Sequence, residues 1–375
     1  MPPACRYRQW TFILALVLLA LAFHGATQSS GPVAGPPEQA APAEQVAEPR
    51  APADIFVSPT GSNAGLCTED APCRGFNRAY QVAAPGDIVD VAAGSYPSQI
   101  LYRKANAQPP HVVFRPEEGA RVVVGDEGAT VGCMGFEGAT YVTVEGMETA
   151  YTTVGGRRHQ CGISVGRGRA HDVTLVDIDA GMIWFGADDV TVRGGDFGPS
   201  VDENMKIEYG TSHPPRNILI DGAVIHDARS HDQHQECLAL WGGRRITIRN
   251  SLFSNCETFH IWLEAGGGVI SDVLIEGNTF TQPDTSVGIA STIKLGDHGG
   301  ELRDVVLRNN RILVDDLYVY QGYGEPDSTG SITIEDNEVA SPISLESGDD
   351  CMVDATYTPR PGLVYTCHGN RLVGP

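Results

Sequence analysis

Lysine is nearly missing from this chain. Of its 26 basic residues only Lys104, Lys206 and Lys294 are lysines, and the formal net charge is −21. A chain this poor in positive charge lacks the clustered cations that hold nucleic acid or an anionic membrane. Tryptophan is equally scarce, with four residues, Trp10, Trp184, Trp241 and Trp262. No Cys-x-x-Cys pair points to structural zinc or thiol exchange, and no His-Glu-x-x-His frame marks a metalloprotease. The histidine-rich stretch "VIHDARSHDQHQEC" (224–237) has a spacing that fits no such frame.

What is present begins with an N-terminal export signature. Arg6 and Arg8 precede the apolar run "WTFILALVLLALAF", and small residues follow it. Residues 1–26 read as a secretory signal processed after Ala26. The alternative is an uncleaved anchor, although the run falls short of the ~20 residues that span a bilayer. Residues 27–53 are rich in Pro, Ala and Glu without periodicity, which describes an extended linker. Residues 54–375 form the folded part. The expected protein is secreted or held at the extracellular surface, with no stable membrane insertion after processing. Beyond Cys5, eight cysteines remain, an even number in an exported chain. Disulfides Cys67–Cys73, Cys351–Cys367, Cys133–Cys161 and Cys237–Cys256 are expected.

The folded part repeats itself. "NILIDGA", "RITIRNS", "DVLIEGN", "DVVLRNN" and "SITIEDN" start at residues 217, 245, 272, 304 and 331, at intervals of 28, 27, 32 and 27. Each alternates, favours β-branched residues and ends on Gly, Asp or Asn, so each is a strand closing in a turn. Short strands at this period describe a solenoid. Leucine-rich repeats are the rival, but Val and Ile dominate here. Asn278, Asn310, Asn337 and Asn370 fall at the same place in successive segments. Such residues, stacked at one turn, can bond amide to amide along the stack.

The pattern resembles the right-handed parallel β-helix proteins of the pectate-lyase-like superfamily over about residues 54–372. Residues 55–97 resemble the family's entry strand, helical cap and first coil, which cover the apolar end of the cylinder. The resemblance implies an all-β, single-stranded right-handed parallel β-helix and a monomer. It implies a polysaccharide partner, acidic or neutral. It does not select a chemistry, because this fold carries lyases, hydrolases, epimerases and non-catalytic binders.

A second strand set, "AGMIWFG", "NMKIEYG", "CLALWGG", "HIWLEAG" and "ASTIKLG", aligns on its final glycine. With a period of two, the outward residues include Trp184, Lys206, Glu208, Cys237, Trp241, His260, Trp262, Glu264 and Lys294. All three tryptophans beyond the signal and two of the three lysines thus share one face. Aromatic faces beside carboxylates and long bases suit a sugar, so Trp184, Trp241, Trp262, His234 and Glu236 are the expected substrate-binding residues. The plainer reading is tryptophans packed under a loop with solvating charges around them.

For a uronate lyase, the family resemblance implies Lys or Arg as base and Ca²⁺ or basic side chains as neutraliser of the sugar carboxylate. Lys206 is then the candidate base. Lys294, or a calcium ion held by Glu208 and Glu264, is the neutraliser, and His260 joins the catalytic set. β-Elimination by a lyase is the leading expectation. A hydrolase would use paired carboxylates, and Glu208 and Glu264 lie two coils apart, ~9.6 Å by strand spacing. The same face would also serve an epimerase or a non-catalytic carbohydrate-binding β-helix. The "NTD", "GHG" and "RIK" segments of pectin-hydrolysing relatives and the "WIDH"-like stretch of the best-known pectate lyases are missing.

Overall fold

Alternating Val and Ile with a turn every few residues leave the chain only one way to bury its apolar face, by coiling back on itself. The computed structural model describes residues 50–373 except 127–128, 130–131, 167–169, 208–213, 230–234, 267, 285, 288–290, 296–299, 315–328 and 346–347. The expected signal and nearly all of the expected linker lie outside the described residues. Among the described residues the coils from Ile88 to Leu295 each give one strand to each of three sheets, which number thirteen, eleven and eight strands in all. One coil runs from Asp188–Arg193 through Asp196–Phe197 to Met205–Ile207, and the next begins at Arg216–Asp221. The result is an all-β right-handed parallel β-helix, as the repeat implied.

Register makes the core. Val142, Val173, Val190, Ile218, Ile246, Val273, Val305, Ile332 and Tyr365 pair in sequence along the largest sheet, and all are buried. The turns explain the Asp and Asn residues around each repeat. Asp189, Asn217, Asp272 and Asp304 enter this sheet with φ of 57°, 59°, 58° and 54°. That left-handed region is one that Asn and Asp tolerate better than other side chains. At the exit, Asn309 and Asp336 take φ of 54° and 53°, each just before a ladder asparagine.

The asparagine ladder is formed. Asn278 donates from Nδ2 to Asn310 Oδ1 at 3.1 Å, Asn310 to Asn337 at 2.9 Å, and Asn337 to Asn370 at 2.9 Å. Each Oδ1 also accepts the backbone N–H one coil back, so amides that could not reach water are satisfied inside the stack.

The N-terminal end is covered as expected. The helix Phe76–Val82 lays Phe76 on Phe114 at 5.5 Å and on Tyr96 at 5.4 Å. Lys104 donates to Tyr80 O and Ala83 O at the helix C-terminal end, so this lysine is spent on capping. All four expected disulfides are present, Cys67–Cys73, Cys133–Cys161, Cys237–Cys256 and Cys351–Cys367. Among the described residues two elements depart from the repeat: Tyr151–Val154 and Arg157–Gln160 form an antiparallel hairpin inserted within one coil, and near the C-terminal end Ala355–Arg360 runs antiparallel to Leu363–His368. No helix among the described residues is long and apolar enough to cross a membrane.

Candidate functional site

The eight-stranded sheet carries the tryptophans and lysines, and its register defines their column. Trp184 pairs with Lys206, Lys206 with Ala239, Ala239 with Trp262 and Trp262 with Lys294. The alignment on final glycines predicted a column of Trp184, Glu208, Trp241, Glu264 and Lys294, which is two residues out between the first two coils and again between the last two. Glycines mark where strands end, and these strands end at different heights. Glu208, His231 and His234 lie outside the described residues. Glu264 is half-buried at the strand end, where its N–H reaches Leu240 O.

Strict alternation also fails at the corner where each coil enters this sheet. His260 was expected to face outward with Trp262. It is fully buried instead, with its ring on the core residue Phe280 at 5.8 Å and its Nε2 3.0 Å from Thr281 O. Burial pushes its pKa down to about 4, so it is a neutral corner residue and not part of the candidate chemistry. Cys237 likewise turns into the core, where it is bonded to Cys256. Asn204, in the same position one coil earlier, donates to Gly181 O and His226 O. Two consecutive residues therefore face inward at each corner, His260 with Ile261 and Cys237 with Leu238. The residue just before each pair is thrown outward.

That reversal assembles a second column of Glu203, Glu236 and Phe259. Glu236 pairs with Phe259, and the Asn204 N–H, next to Glu203, reaches Glu236 O at 3.3 Å. Glu203 was missed, because a period of two places it inside. The signal against that placement was chemical: an acid at a core position conflicts with the cost of burying charge.

The two columns meet. Lys206 Nζ is 3.2 Å from Glu203 Oε1 and 4.0 Å from the centre of the Trp241 ring, with Trp184 on its other side at 5.8 Å. Lys294 Nζ lies 4.6 Å from Trp262 and 5.2 Å from Phe259. Glu236 is 1 % exposed, Glu203 5 %, Lys206 8 % and Lys294 7 %. Burial, then the Asp202 carboxyl beside it, raises Glu203 to about 7 against the pull of Lys206. Burial, then the Glu203 charge, raises Glu236 to about 8, with both lysines opposing. Glu236 thus keeps its proton at neutral pH, while Glu203 is poised to lose its own.

Several buried polar atoms here have no protein hydrogen-bond partner: Glu203 Oε2, Glu236 Oε1, Trp184 Nε1 and Trp241 Nε1. Orphans of this kind are rare in native interiors. Two carboxyl oxygens and two indole N–H groups on one face present acceptors and donors together. Among the described residues no group of three or more His, Cys, Asp or Glu side chains could hold a metal ion. Of the two residues expected to hold calcium, Glu208 lies outside the described residues and Glu264 stands at the strand end.

No family model and no curated protein matches this chain. Solved structures do. The surface adhesin PfbA of Streptococcus pneumoniae is 16% identical with a TM-score of 0.51, over 72% of this chain and 74% of that one. A GH136 lacto-N-biosidase from Eubacterium ramulus is 13% identical with a TM-score of 0.49, over 86% and 68%. The PL6 family polysaccharide lyase Pedsa3628 from Pseudopedobacter saltans is 13% identical with a TM-score of 0.42, over 85% and 92%. At 16% identity the likeness to PfbA speaks for the fold alone, the parallel β-helix already given by the sheet order.

Proposed function

We propose that this right-handed parallel β-helix of pectate-lyase-like fold is an exported, glycan-active enzyme whose acid–base groups are Glu236 and Glu203. The observation that carries the reading is the pair of buried carboxyls on adjacent coils, raised to about 8 and about 7, beside indole N–H groups that no protein atom satisfies. Aromatic rings supply the apolar surface for a sugar face, and the unpaired donors and acceptors suit its hydroxyls. Four disulfides fit an oxidising, extracellular location.

Glu236, protonated at neutral pH, is the general acid for the leaving glycosidic oxygen. Glu203, which releases its proton near neutrality beside Lys206, is the second carboxylate. Adjacent coils lie ~4.8 Å apart, which suits the short ~5–5.5 Å separation of a retaining hydrolase better than the longer inverting one. In this reading Lys206 pairs with Glu203 and lies over the Trp241 face, and the base role first expected of Lys206 passes to Glu203.

A second reading, uronate elimination or epimerisation, draws on Lys206 and Lys294 standing beside these carboxyls. Two cations can neutralise a sugar carboxylate while Glu203 removes the adjacent proton. The deciding experiment incubates the mature chain with neutral and uronic polysaccharides and follows both reducing-end release and absorbance near ~235 nm, where the unsaturated product of elimination absorbs. Reducing ends without absorbance support the hydrolase. Absorbance supports the lyase. Binding with neither signal, unaltered in Glu236→Gln, would leave a carbohydrate-binding protein.

A further inference from the structure

The antiparallel hairpin is the one excursion from the coil repeat among the described residues away from the C-terminal end, and insertions in solenoids tend to gather on the binding face. Its return strand lies close against the next coil. A Cβ at Gly181 would stand 1.8 Å from Gln160 O, so only glycine admits that approach. The Gln160 N–H reaches Pro199 O at 3.1 Å, and the Arg229 N–H reaches Ser200 O at 3.1 Å. Between hairpin and coil is a cavity of about 260 Å³ lined by Arg157, Arg158, His159, Ser200, Asp227 and Arg229.

Three guanidinium groups around one cavity are unusual in a chain with net charge −21. The one carboxylate lining it is already engaged, since Asp227 accepts from Arg229 at 2.5 Å and pairs with His226 at 2.8 Å. Arg229 also bonds Asp284 at 2.9 Å, which fixes its plane, yet its buried Nε has no partner. Arg158 is held by stacking on Tyr151, 3.6 Å from the ring centre. His159 is 2 % exposed, and its Nε2 faces Val154 O at 3.2 Å. A carbonyl can only accept, so Nε2 carries the hydrogen and Nδ1 presents a lone pair. That Nδ1 is buried and unpartnered.

We propose that this cavity is a subsite for the oxyanion substituent, carboxylate or sulfate, of an acidic sugar ring. The Arg157 and Arg158 guanidinium groups take the anion, and His159 Nδ1 accepts a neighbouring hydroxyl. A free inorganic anion would leave that acceptor unanswered, whereas a sugar ring bearing an acid group satisfies both. The subsite is tied to the carboxyl pair. Ser200 Oγ accepts the Asp202 N–H at 3.2 Å, and Asp202 Oδ1 accepts the Glu203 N–H at 3.1 Å. From Ser200 to Glu203 the chain spans at most ~10 Å, a reach suited to joined sugar rings. As a glycan subsite the assignment rests on the glycan-active reading above. Its test reads binding directly and needs no turnover.

The full mature chain is titrated by calorimetry with sodium glucuronate, with glucose 6-sulfate and with glucose, as wild type and as the double variant Arg157→Gln/Arg158→Gln, with melting curves to confirm folding. The expected result is saturable binding of at least one acidic sugar, tighter than glucose, and weakened about tenfold to hundredfold in the double variant, the loss expected for charge-assisted hydrogen bonds. Preference for glucuronate would assign a uronate and preference for the sulfate ester a sulfated glycan. Equal binding of glucose and the acidic sugars, no binding of any acidic sugar, or acidic-sugar binding unmoved in the folded double variant would each overturn the proposal. Should acidic sugars bind here while no polysaccharide is cleaved, the catalytic reading fails and the subsite stands.

Discussion

Glu236 and Glu203 differ in what each must do, and single substitutions separate them. Glu236→Gln copies the protonated carboxyl in shape and charge, so the variant should melt near the wild-type temperature below pH 7. Turnover should fall by about 10²–10⁴-fold, the usual worth of a positioned acid, as read from initial rates on whichever polysaccharide is cleaved. Lys206→Met removes the cation that holds Glu203 down, so the acidic limb of the pH–rate profile should move to higher pH. An unmoved limb would take Glu203 out of the mechanism. Stability should follow the same groups. Both carboxyls keep their protons in the folded chain above the ordinary 4.5 at which the unfolded chain releases them. Their contribution is therefore full below that value and is lost as pH rises through about 7 and about 8. His260 acts in reverse, with its contribution present above 6.5 and lost as pH falls through about 4. Melting temperatures from pH 4 to 9 check this, and Glu236→Gln should flatten the upper decline.

At the scale of elements, the ladder is where a repeat in the sequence became a bond in space. Asn310 stands in the middle, donating to Ile275 O and Asn337 Oδ1 and accepting from Asn278. Asn310→Ala would strand buried donors and acceptors on both neighbouring coils, each costing about 1–3 kcal/mol. A loss of about 3 kcal/mol or more in urea unfolding is expected. A loss below about 1 kcal/mol would mean that the stack relaxes around the gap. The ladder was legible because every copy has the same neighbours. The corner before the eight-stranded sheet was not. There the chain bends, two consecutive residues face inward, and a period-two reading misplaces His260, Cys237 and Glu203 together. The glycine alignment misled for a related reason, since strand ends are free to slide while paired registers are not.

For the whole molecule, the disulfides and the stack share the stabilising role. Cys133–Cys161 closes 28 residues, a full coil plus the hairpin. Replacing both cysteines by alanine should cost about 3 kcal/mol, seen as a lower denaturation midpoint. The hairpin itself carries Arg157 and Arg158, so its acidic-sugar binding should weaken along with that loss of restraint.

The amino-acid order alone specified the coil, its turns, the capped end, the cysteine pairs and the face on which the tryptophans and lysines gather. All of these are local or periodic, and a periodic pattern has one consistent way of stacking. Only the folded structure decided that Glu203 meets Lys206, that Glu236 stands on the adjacent coil with its proton retained, and that His260 turns away. Those outcomes depend on the corner bend, on cross-coil register and on burial, which arise between coils and are written in no single repeat.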